Sequence, residues 1–296
     1  MKALAHSLIF FLVLVINLEV IAQSAMVYRQ KVYHQDNSNL SKWTLSTSLQ
    51  VTGGGYIYNE YSIFYLLYGG IRYQINNLTL YGNIPLVAQN NPGFTQSGMM
   101  VIPAGKENEG EGSMMNGNNM HGQNNSMDQS SMMNMHISLG DFYLYGAYQV
   151  LNEINHSIDL FINPNVKFPT AAGSTGIGTG KFDFGIFVNA RKSIESFVVM
   201  AEAGFTKLGD PVGINYKDPF TYGFGIGKFL SENGNSVLLY YFSYTKILDN
   251  YEPPRQVSAG LNLNLASNTV LSLIGSVGLS NYSPDFSISG GFNFNL

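Results

Sequence analysis

Several segments in the second half of the chain alternate apolar and polar residues with a period of two. In residues 157–168 the polar side chains fall on odd positions, and most apolar ones fall on even positions. The same pattern recurs in residues 181–190, 256–265 and 285–296. Because neighbouring side chains of a β-strand point to opposite faces, each segment predicts a strand with one apolar and one polar face.

The scarcity of charge indicates that the apolar faces contact lipid. Only 11% of the residues are Asp, Glu, Lys or Arg, less than half of the roughly 25% usual in soluble proteins. A soluble β-sandwich would carry more Lys and Glu on its exposed face. After residue 22 no window reaches the about 18 apolar residues of a transmembrane helix. The sequence therefore predicts an all-β fold, a transmembrane up-and-down antiparallel β-barrel.

Twelve segments have the length and pattern expected of barrel strands. They are residues 43–52, 61–75, 78–89, 137–150, 157–168, 179–190, 196–207, 219–230, 236–247, 255–265, 269–279 and 285–296. Short connections, such as Asn76-Asn77 and residues 191–195, fall at every second junction. These are the predicted periplasmic turns, and the longer connections are the predicted extracellular loops.

The first 22 residues have the composition of a secretory signal peptide. An apolar run follows the initial Met-Lys pair and ends in small residues before Gln23. A retained membrane anchor is the alternative, but the run is short for a membrane-spanning helix and contains Asn17 and Glu19. We therefore expect residues 1–22 to be removed from the mature protein.

The predicted organisation is that of a protein in the outer membrane of a Gram-negative bacterium. Residues 23–42 form an N-terminal periplasmic segment, and residues 43–296 form the barrel, with outer-membrane lipid as its surroundings. The alternating Phe292, Phe294 and Leu296 at the C-terminus resemble the terminal strand that the barrel-assembly machinery recognises. That machinery is a second predicted partner.

Composition and motifs argue against an enzyme and against a nucleic-acid-binding protein. The net charge is -4 with no basic run, so no nucleic-acid partner is expected. Cysteine is absent, which removes thiolate chemistry. The stretch GSTGIGTGKF departs from a phosphate loop because Thr175 and Phe182 occupy two of its required positions. No His lies within a confidently predicted strand near a Ser, so no catalytic residues and no enzymatic cofactor are predicted.

The polar residues of each strand fall on one face, and this face is predicted to line the lumen of the barrel. The predicted lumen-lining residues are Arg72, Asp159, Asn163, Asn165, Lys167, Asp183, Asn189 and Glu202. Such side chains either line a narrow channel or bond to one another and close it. The inward aromatic residues Tyr143, Tyr145, Phe161 and Phe187 favour a path for apolar or aromatic solutes, although they could equally fill space.

Residues 137–296 resemble a known family of barrels. The resemblance is carried by Lys167-Phe168-Pro169-Thr170, by Gly178-Thr179-Gly180 and by Asp183, together with the stretches SLGDFYLYGAYQVL and MAEAGFTKLGDP. It is to the outer-membrane barrels assigned to the meta-pathway of phenol degradation. The resemblance implies a channel-like transporter related to barrels that admit aromatic or other hydrophobic compounds, and it implies no catalytic residues. About twenty mature residues precede the first predicted strand, too few for the N-terminal plug of fatty-acid and toluene transporters.

The longest connection, residues 90–136, is rich in Met, Asn and His, and its composition predicts a disordered or loosely folded extracellular loop. Thioether and imidazole groups suit Cu(I). The candidate metal ligands are Met114, Met115, Met120, His121, Met127, Met132, Met133, Met135 and His136. A low-complexity tether is the alternative, since the loop lacks a repeated Met-x-x-Met register.

Three functions are therefore consistent with the sequence. The first is a channel or transporter for small solutes, which include aromatic or hydrophobic ones. The second is a surface metal-binding barrel that handles copper through the Met/His-rich loop. The third is a structural barrel that conducts nothing.

Overall fold

The computed structural model describes residues 43–55, 61–91, 94–97, 100–104, 135–172, 176–249 and 251–296. The predicted signal peptide and the predicted segment 23–42 lie outside these residues. Helices that could serve as membrane spans are absent from the described part of the chain.

Fifteen strands and one short helix make up the described structure. They are β1 (Trp43–Gly54), β2 (Ser62–Ile75), β3 (Leu78–Gln89), β4 (Phe94–Ser97), β5 (Met100–Pro103), β6 (His136–Leu139), β7 (Phe142–Leu151), α1 (Glu153–His156), β8 (Asp159–Phe168), β9 (Asp183–Ile194), β10 (Phe197–Lys207), β11 (Phe220–Phe229), β12 (Ser236–Tyr244), β13 (Arg255–Ala266), β14 (Thr269–Gly278) and β15 (Phe286–Asn295).

The wall is a closed antiparallel barrel. Each wall strand pairs with its neighbours along the chain, and β1 closes the sheet by pairing with both β2 and β15. Strands β6 and β7 both pair with β3 and are two halves of one wall strand, interrupted at Gly140 and Asp141. Counted in this way, the wall has twelve strands. The predicted twelve-stranded antiparallel barrel is confirmed.

Short and long connections alternate around the barrel. Residues 76–77, 195–196 and 267–268 form tight turns, and α1 and residues 230–235 provide the other short connections. These short connections lie at the end of the barrel where β1 begins and β15 ends. We call this end the turn end. The longer connections lie at the opposite end, which we call the loop end.

Side chains alternate between an apolar outer face and a more polar interior. Exposed apolar side chains on the outer face include Leu45, Leu67, Ile71, Val188, Phe205, Phe224, Leu239 and Phe292. The outward lysines Lys192, Lys207 and Lys228 lie within the last three residues of their strands. A continuous apolar outer face is the surface that a transmembrane barrel presents to lipid.

Two local predictions are wrong. The strand predicted over residues 179–190 is β9, which begins at Asp183 and continues to Ile194, so most of the predicted turn 191–195 is strand. The reason is that Arg191 and Ser193 continue the alternation of β9 on its inward face and pair with residues of β10. The prediction of a loosely folded connection over residues 90–136 also fails for β4 and β5, which form a hairpin with buried side chains.

Candidate channel lumen

The inward positions of β7, β8, β9 and β10 form a strip of half-exposed side chains inside the barrel. We call it the half-exposed strip. Its members are Tyr143, Tyr145, Gln149, Phe161, Asn163, Asn165, Phe187, Asn189 and Glu202. Because these side chains lie inside a closed wall, the solvent that they contact is in the lumen. The strip combines aromatic rings, amides and a single carboxylate.

A chain of hydrogen bonds crosses the middle of this strip. The Asn163 amide donates to Asn189 Oδ1, and Asn189 Nδ2 donates to Glu202 Oε2 at 2.5 Å. Asn189 and Glu202 are direct partners in the pairing of β9 with β10. Beside this chain lies a cavity of about 30 Å³, also lined by Phe161, Met200 and Tyr240.

A buried ion pair lies inside the barrel near the turn end. Asp159 is completely buried, and its Oδ2 lies 2.9 Å from the Arg191 guanidinium. Its other oxygen accepts hydrogen bonds from the Gln149 amide at 2.8 Å and from the Glu153 backbone at 2.9 Å. The guanidinium also lies over the Phe161 ring, 5.3 Å from its centroid. This arrangement satisfies a charge that would be strongly unfavourable alone.

A second buried ion pair lies at the loop end. The Lys167 ammonium lies 2.7 Å from Asp183 and 3.6 Å from Asp141, and it donates to Thr179 Oγ1 at 2.8 Å. The backbone approaches closely here, because a Cβ on Gly178 would lie 2.9 Å from Ala171, and Gly178 has φ of +92°. A glycine is therefore required to bring this loop over the pair.

The eight predicted lumen residues thus occupy three kinds of position. Asn163, Asn165, Asn189 and Glu202 belong to the half-exposed strip, and Arg72 is half-buried near the turn end, where it donates to Thr44 at 3.1 Å. The other three, Asp159, Lys167 and Asp183, are buried in the two ion pairs. They hold neighbouring strands together.

The hairpin formed by β4 and β5 lies in the mouth of the barrel at the loop end. Phe94 and Val101 are buried in a cluster with the inward residues Phe64 and Leu66 of β2. Ile102 is buried in a second cluster, which includes inward residues of β10 and β12 such as Tyr244. Because β2 and β12 are five strands apart in a wall of twelve, the hairpin reaches across the mouth.

Hydrogen bonds fix the hairpin on both sides. The Gln89 amide donates to the Phe94 carbonyl at 3.0 Å, and the Gly178 backbone donates to Thr95 Oγ1 at 3.1 Å. On the opposite side the Tyr216 hydroxyl donates to the Pro103 carbonyl. The hairpin therefore occupies part of the barrel mouth at the loop end.

Sequence reasoning missed several residues of this site. Arg191 has the same parity as Asn189, and this signal was available, but the stretch around it resembles a polar turn. Tyr240 lies in the run LLYYFSY, where aromatic residues occupy both faces and obscure the period of two. The hairpin strands have four residues each, too few for periodicity to identify.

The predicted metal ligands fall almost entirely outside the described residues. Met114, Met115, Met120, His121, Met127, Met132 and Met133 belong to the undescribed part. Met135 is half-buried, and His136 is exposed at the start of β6. Within the described residues, no group of three or more His, Asp or Glu side chains is arranged to hold a metal ion. The copper site stays a prediction.

A closed antiparallel barrel with an apolar outer face and a partly polar interior defines the class of membrane-spanning β-barrels. No family model matches the chain, and no curated protein matches it in sequence. Its fold is similar to an outer membrane channel from Pseudomonas putida F1, with 12% identity, a TM-score of 0.59, and coverage of 86% of this chain and 96% of that one.

Two further solved structures show weaker likeness. The translocator domain of the autotransporter NalP from Neisseria meningitidis has 9% identity and a TM-score of 0.47, over 94% of this chain and 98% of its own. The monoaromatic hydrocarbon channel CymD has 10% identity and a TM-score of 0.45, over 93% of each chain. At 12% identity, the similarity to the Pseudomonas putida channel establishes the barrel fold alone.

Proposed function

We propose that this protein is an outer-membrane channel of a Gram-negative bacterium that passes small solutes. The observation that carries the proposal is the half-exposed strip, because a barrel with a fully packed interior would bury these side chains. The Pseudomonas putida protein with the same fold is described as an outer membrane channel. We extend that role to this chain on the strength of its own interior.

The solutes that fit this strip best are small and uncharged, and they include aromatic compounds. Tyr143 and Tyr145 lie with nearly parallel rings, 6.1 Å apart, and Tyr145 also lies 6.1 Å from Tyr81 of β3. Flat rings in such a row offer favourable contacts to another aromatic ring. This lining agrees with the resemblance to the barrels of the meta-pathway of phenol degradation, which we propose as the family.

We further propose that the loop end faces the outside of the cell. A short epitope inserted between Val212 and Gly213, in a loop-end connection, should be labelled by antibody on intact cells. The same epitope inserted after Glu232, in a turn-end connection, should be labelled only after the outer membrane is permeabilised. The reverse pattern would show that the orientation is wrong.

The hairpin of β4 and β5 is proposed to limit the flow of solutes. Phe94 and Ile102 are fully buried and attach the hairpin to opposite parts of the wall. Replacing both with Ser removes apolar contacts on each side, which should release the hairpin and widen the passage. The matched control is Val212→Ser, since Val212 is a loop-end residue that is 55% exposed.

The experiment is single-channel recording in planar bilayers with purified, folded protein. We expect small conductance steps for the wild type and the Val212→Ser control, and larger steps for Phe94→Ser/Ile102→Ser. A deletion of residues 94–103 should give the same increase. If none of the four proteins conducts, the barrel is structural and the channel proposal is wrong.

A further inference from the structure

Glu202 is a carboxylate near the middle of the barrel wall. It occupies the central position of β10, which runs from Phe197 to Lys207, and points inward. The Asn189 amide donates a short hydrogen bond of 2.5 Å to its Oε2, and the Tyr240 hydroxyl lies within hydrogen-bonding reach of the carboxylate. Among the residues that the structure describes, it forms no ion pair. Its side chain is half-buried inside the barrel.

Two further oxygen atoms, those of the Tyr240 hydroxyl and the Asn163 amide, lie close to Glu202. The Tyr240 side chain is 2% exposed, and its hydroxyl lies within hydrogen-bonding reach of the Glu202 carboxylate. Asn163 Oδ1 is buried and has no hydrogen-bond partner in the described structure. Both side chains line the cavity of about 30 Å³. A space of this size accommodates about one or two water molecules, or a single small ion.

The local balance of charge is negative. Arg191 lines the same cavity, but its guanidinium is held by Asp159 at 2.9 Å. Among the described residues, two carboxyl groups therefore share one cation, and Glu202 is the one that lacks a counter-charge. A charge held away from bulk water is unfavourable unless a partner compensates it.

The chemistry of these groups suits a cation. Carboxylate, amide and hydroxyl oxygens are the ligands that hard cations prefer. The rings of Phe161 and Tyr240 also line the cavity, and the faces of aromatic rings attract cations. A multivalent ion would need more carboxylates than this cavity provides, so a monovalent ion is the better match.

We propose that Glu202, Asn163 and Tyr240 form a subsite that binds one small monovalent cation inside the lumen. In the channel proposed above, this subsite makes cations more permeant than anions. The selectivity rests on the proposed channel function, whereas the binding of the ion does not.

The first experiment measures the reversal potential of the folded protein in planar bilayers under a KCl gradient. Wild type should prefer K⁺ over Cl⁻, and Glu202→Gln should lower the permeability ratio by about fivefold, the effect of one unit charge about 4 Å from an ion in water. Glu202→Asp keeps the charge and should keep the preference. Asp249→Asn, which removes an exposed carboxylate at the loop end, should also leave it unchanged.

The second experiment detects the ion directly. Crystals of the wild-type protein grown in RbCl should show an anomalous scattering peak beside Glu202, and crystals of Glu202→Gln should show none. Absence of the peak in wild type, or equal permeability ratios in wild type and Glu202→Gln, would overturn the subsite. A peak in a protein that conducts in no variant would retain the subsite and reject the channel.

Discussion

Asp159 and Arg191 face each other across the pairing of β8 with β9, and their side chains meet at 2.9 Å inside the barrel. Both are almost completely buried. The pair joins the first residue of β8 to the part of β9 nearest the turn end. It also anchors α1, because the backbone of Glu153 donates to the same carboxylate at 2.9 Å.

Breaking this pair on one side should be strongly destabilising. Arg191→Met leaves the Asp159 charge buried without its partner, and such losses cost about 3–5 kcal/mol. Urea unfolding of the barrel in lipid vesicles, followed by loss of heat-modifiable migration, would measure the change. Lys217→Met is the control, because the Lys217–Asp249 pair is exposed and such pairs contribute about 0–1 kcal/mol. Equal effects of the two substitutions would contradict the buried pair.

The outer face should tolerate charge according to depth. Phe224 is 59% exposed near the middle of β11, and Phe220 is 47% exposed at the beginning of the same strand. Phe224→Lys should cost about 2–4 kcal/mol, whereas Phe220→Lys should cost about 0–1 kcal/mol. The free energy of unfolding in vesicles distinguishes them. A Phe224→Lys barrel as stable as wild type would mean that this face does not contact lipid.

Gly204 should resist any larger side chain. It lies opposite Phe187, and a Cβ at this position would lie 2.2 Å from the Phe187 ring and 2.8 Å from the Ile186 carbonyl. Gly204→Ala should therefore destabilise the barrel by about 1–3 kcal/mol through overpacking. Gly69→Ala is the control, because its Cβ would meet nothing within 4 Å. Adding Phe187→Leu to Gly204→Ala should recover part of the lost free energy of unfolding.

The turn at α1 should contribute to stability in a pH-dependent way. Burial acts to raise the pKa of Glu153, but the hydrogen bonds from Lys192 and Ser193 outweigh it and lower the pKa. A lowered pKa in the folded state stabilises the protein above the ordinary Glu pKa of about 4.3, and this stabilisation disappears as the pH falls through the folded value.

The test compares thermal unfolding of wild type and Glu153→Gln at pH 7 and at strongly acidic pH. Wild type should unfold at the higher temperature at pH 7, and the difference should vanish on acidification. Glu232→Gln changes an exposed carboxylate in another turn-end connection and provides the control. A difference that stays constant with pH would exclude the charge of Glu153 as its cause.

The sequence was most informative where one physical rule operates alone. The alternation of apolar and polar residues predicted the barrel and its strands because lipid on one side requires apolar residues at every second position. β2 and β3 agree with prediction to within one residue at each end. Here the tight turn at Asn76-Asn77 ends the pattern sharply, since Asn76 adopts a positive φ of 52°.

The contacts inside the barrel were harder to predict. The alternation of residues along a strand tells which side chains point inward, but it does not tell which of them contact one another. It placed Asp159, Lys167 and Asp183 inside, but their ion pairs depend on register, which brings Asp159 opposite Arg191 and Lys167 opposite Asp183. The hairpin escaped prediction for another reason. Phe94 and Ile102 are buried by tertiary contacts with distant strands. The alternation of residues within a short segment does not reveal such contacts.

The hairpin across the mouth also divides the interior into two regimes of mutational tolerance. Around Phe64, Phe94 and Ile102, which are fully buried, side chains interlock as they do in the core of a soluble globule. Along the half-exposed strip, side chains adjoin solvent and, apart from Phe187, which packs against Gly204, have space to change size. In a saturation mutagenesis screen, inward positions near the loop end should therefore reject changes in volume, whereas those of the half-exposed strip should accept them and alter permeability instead.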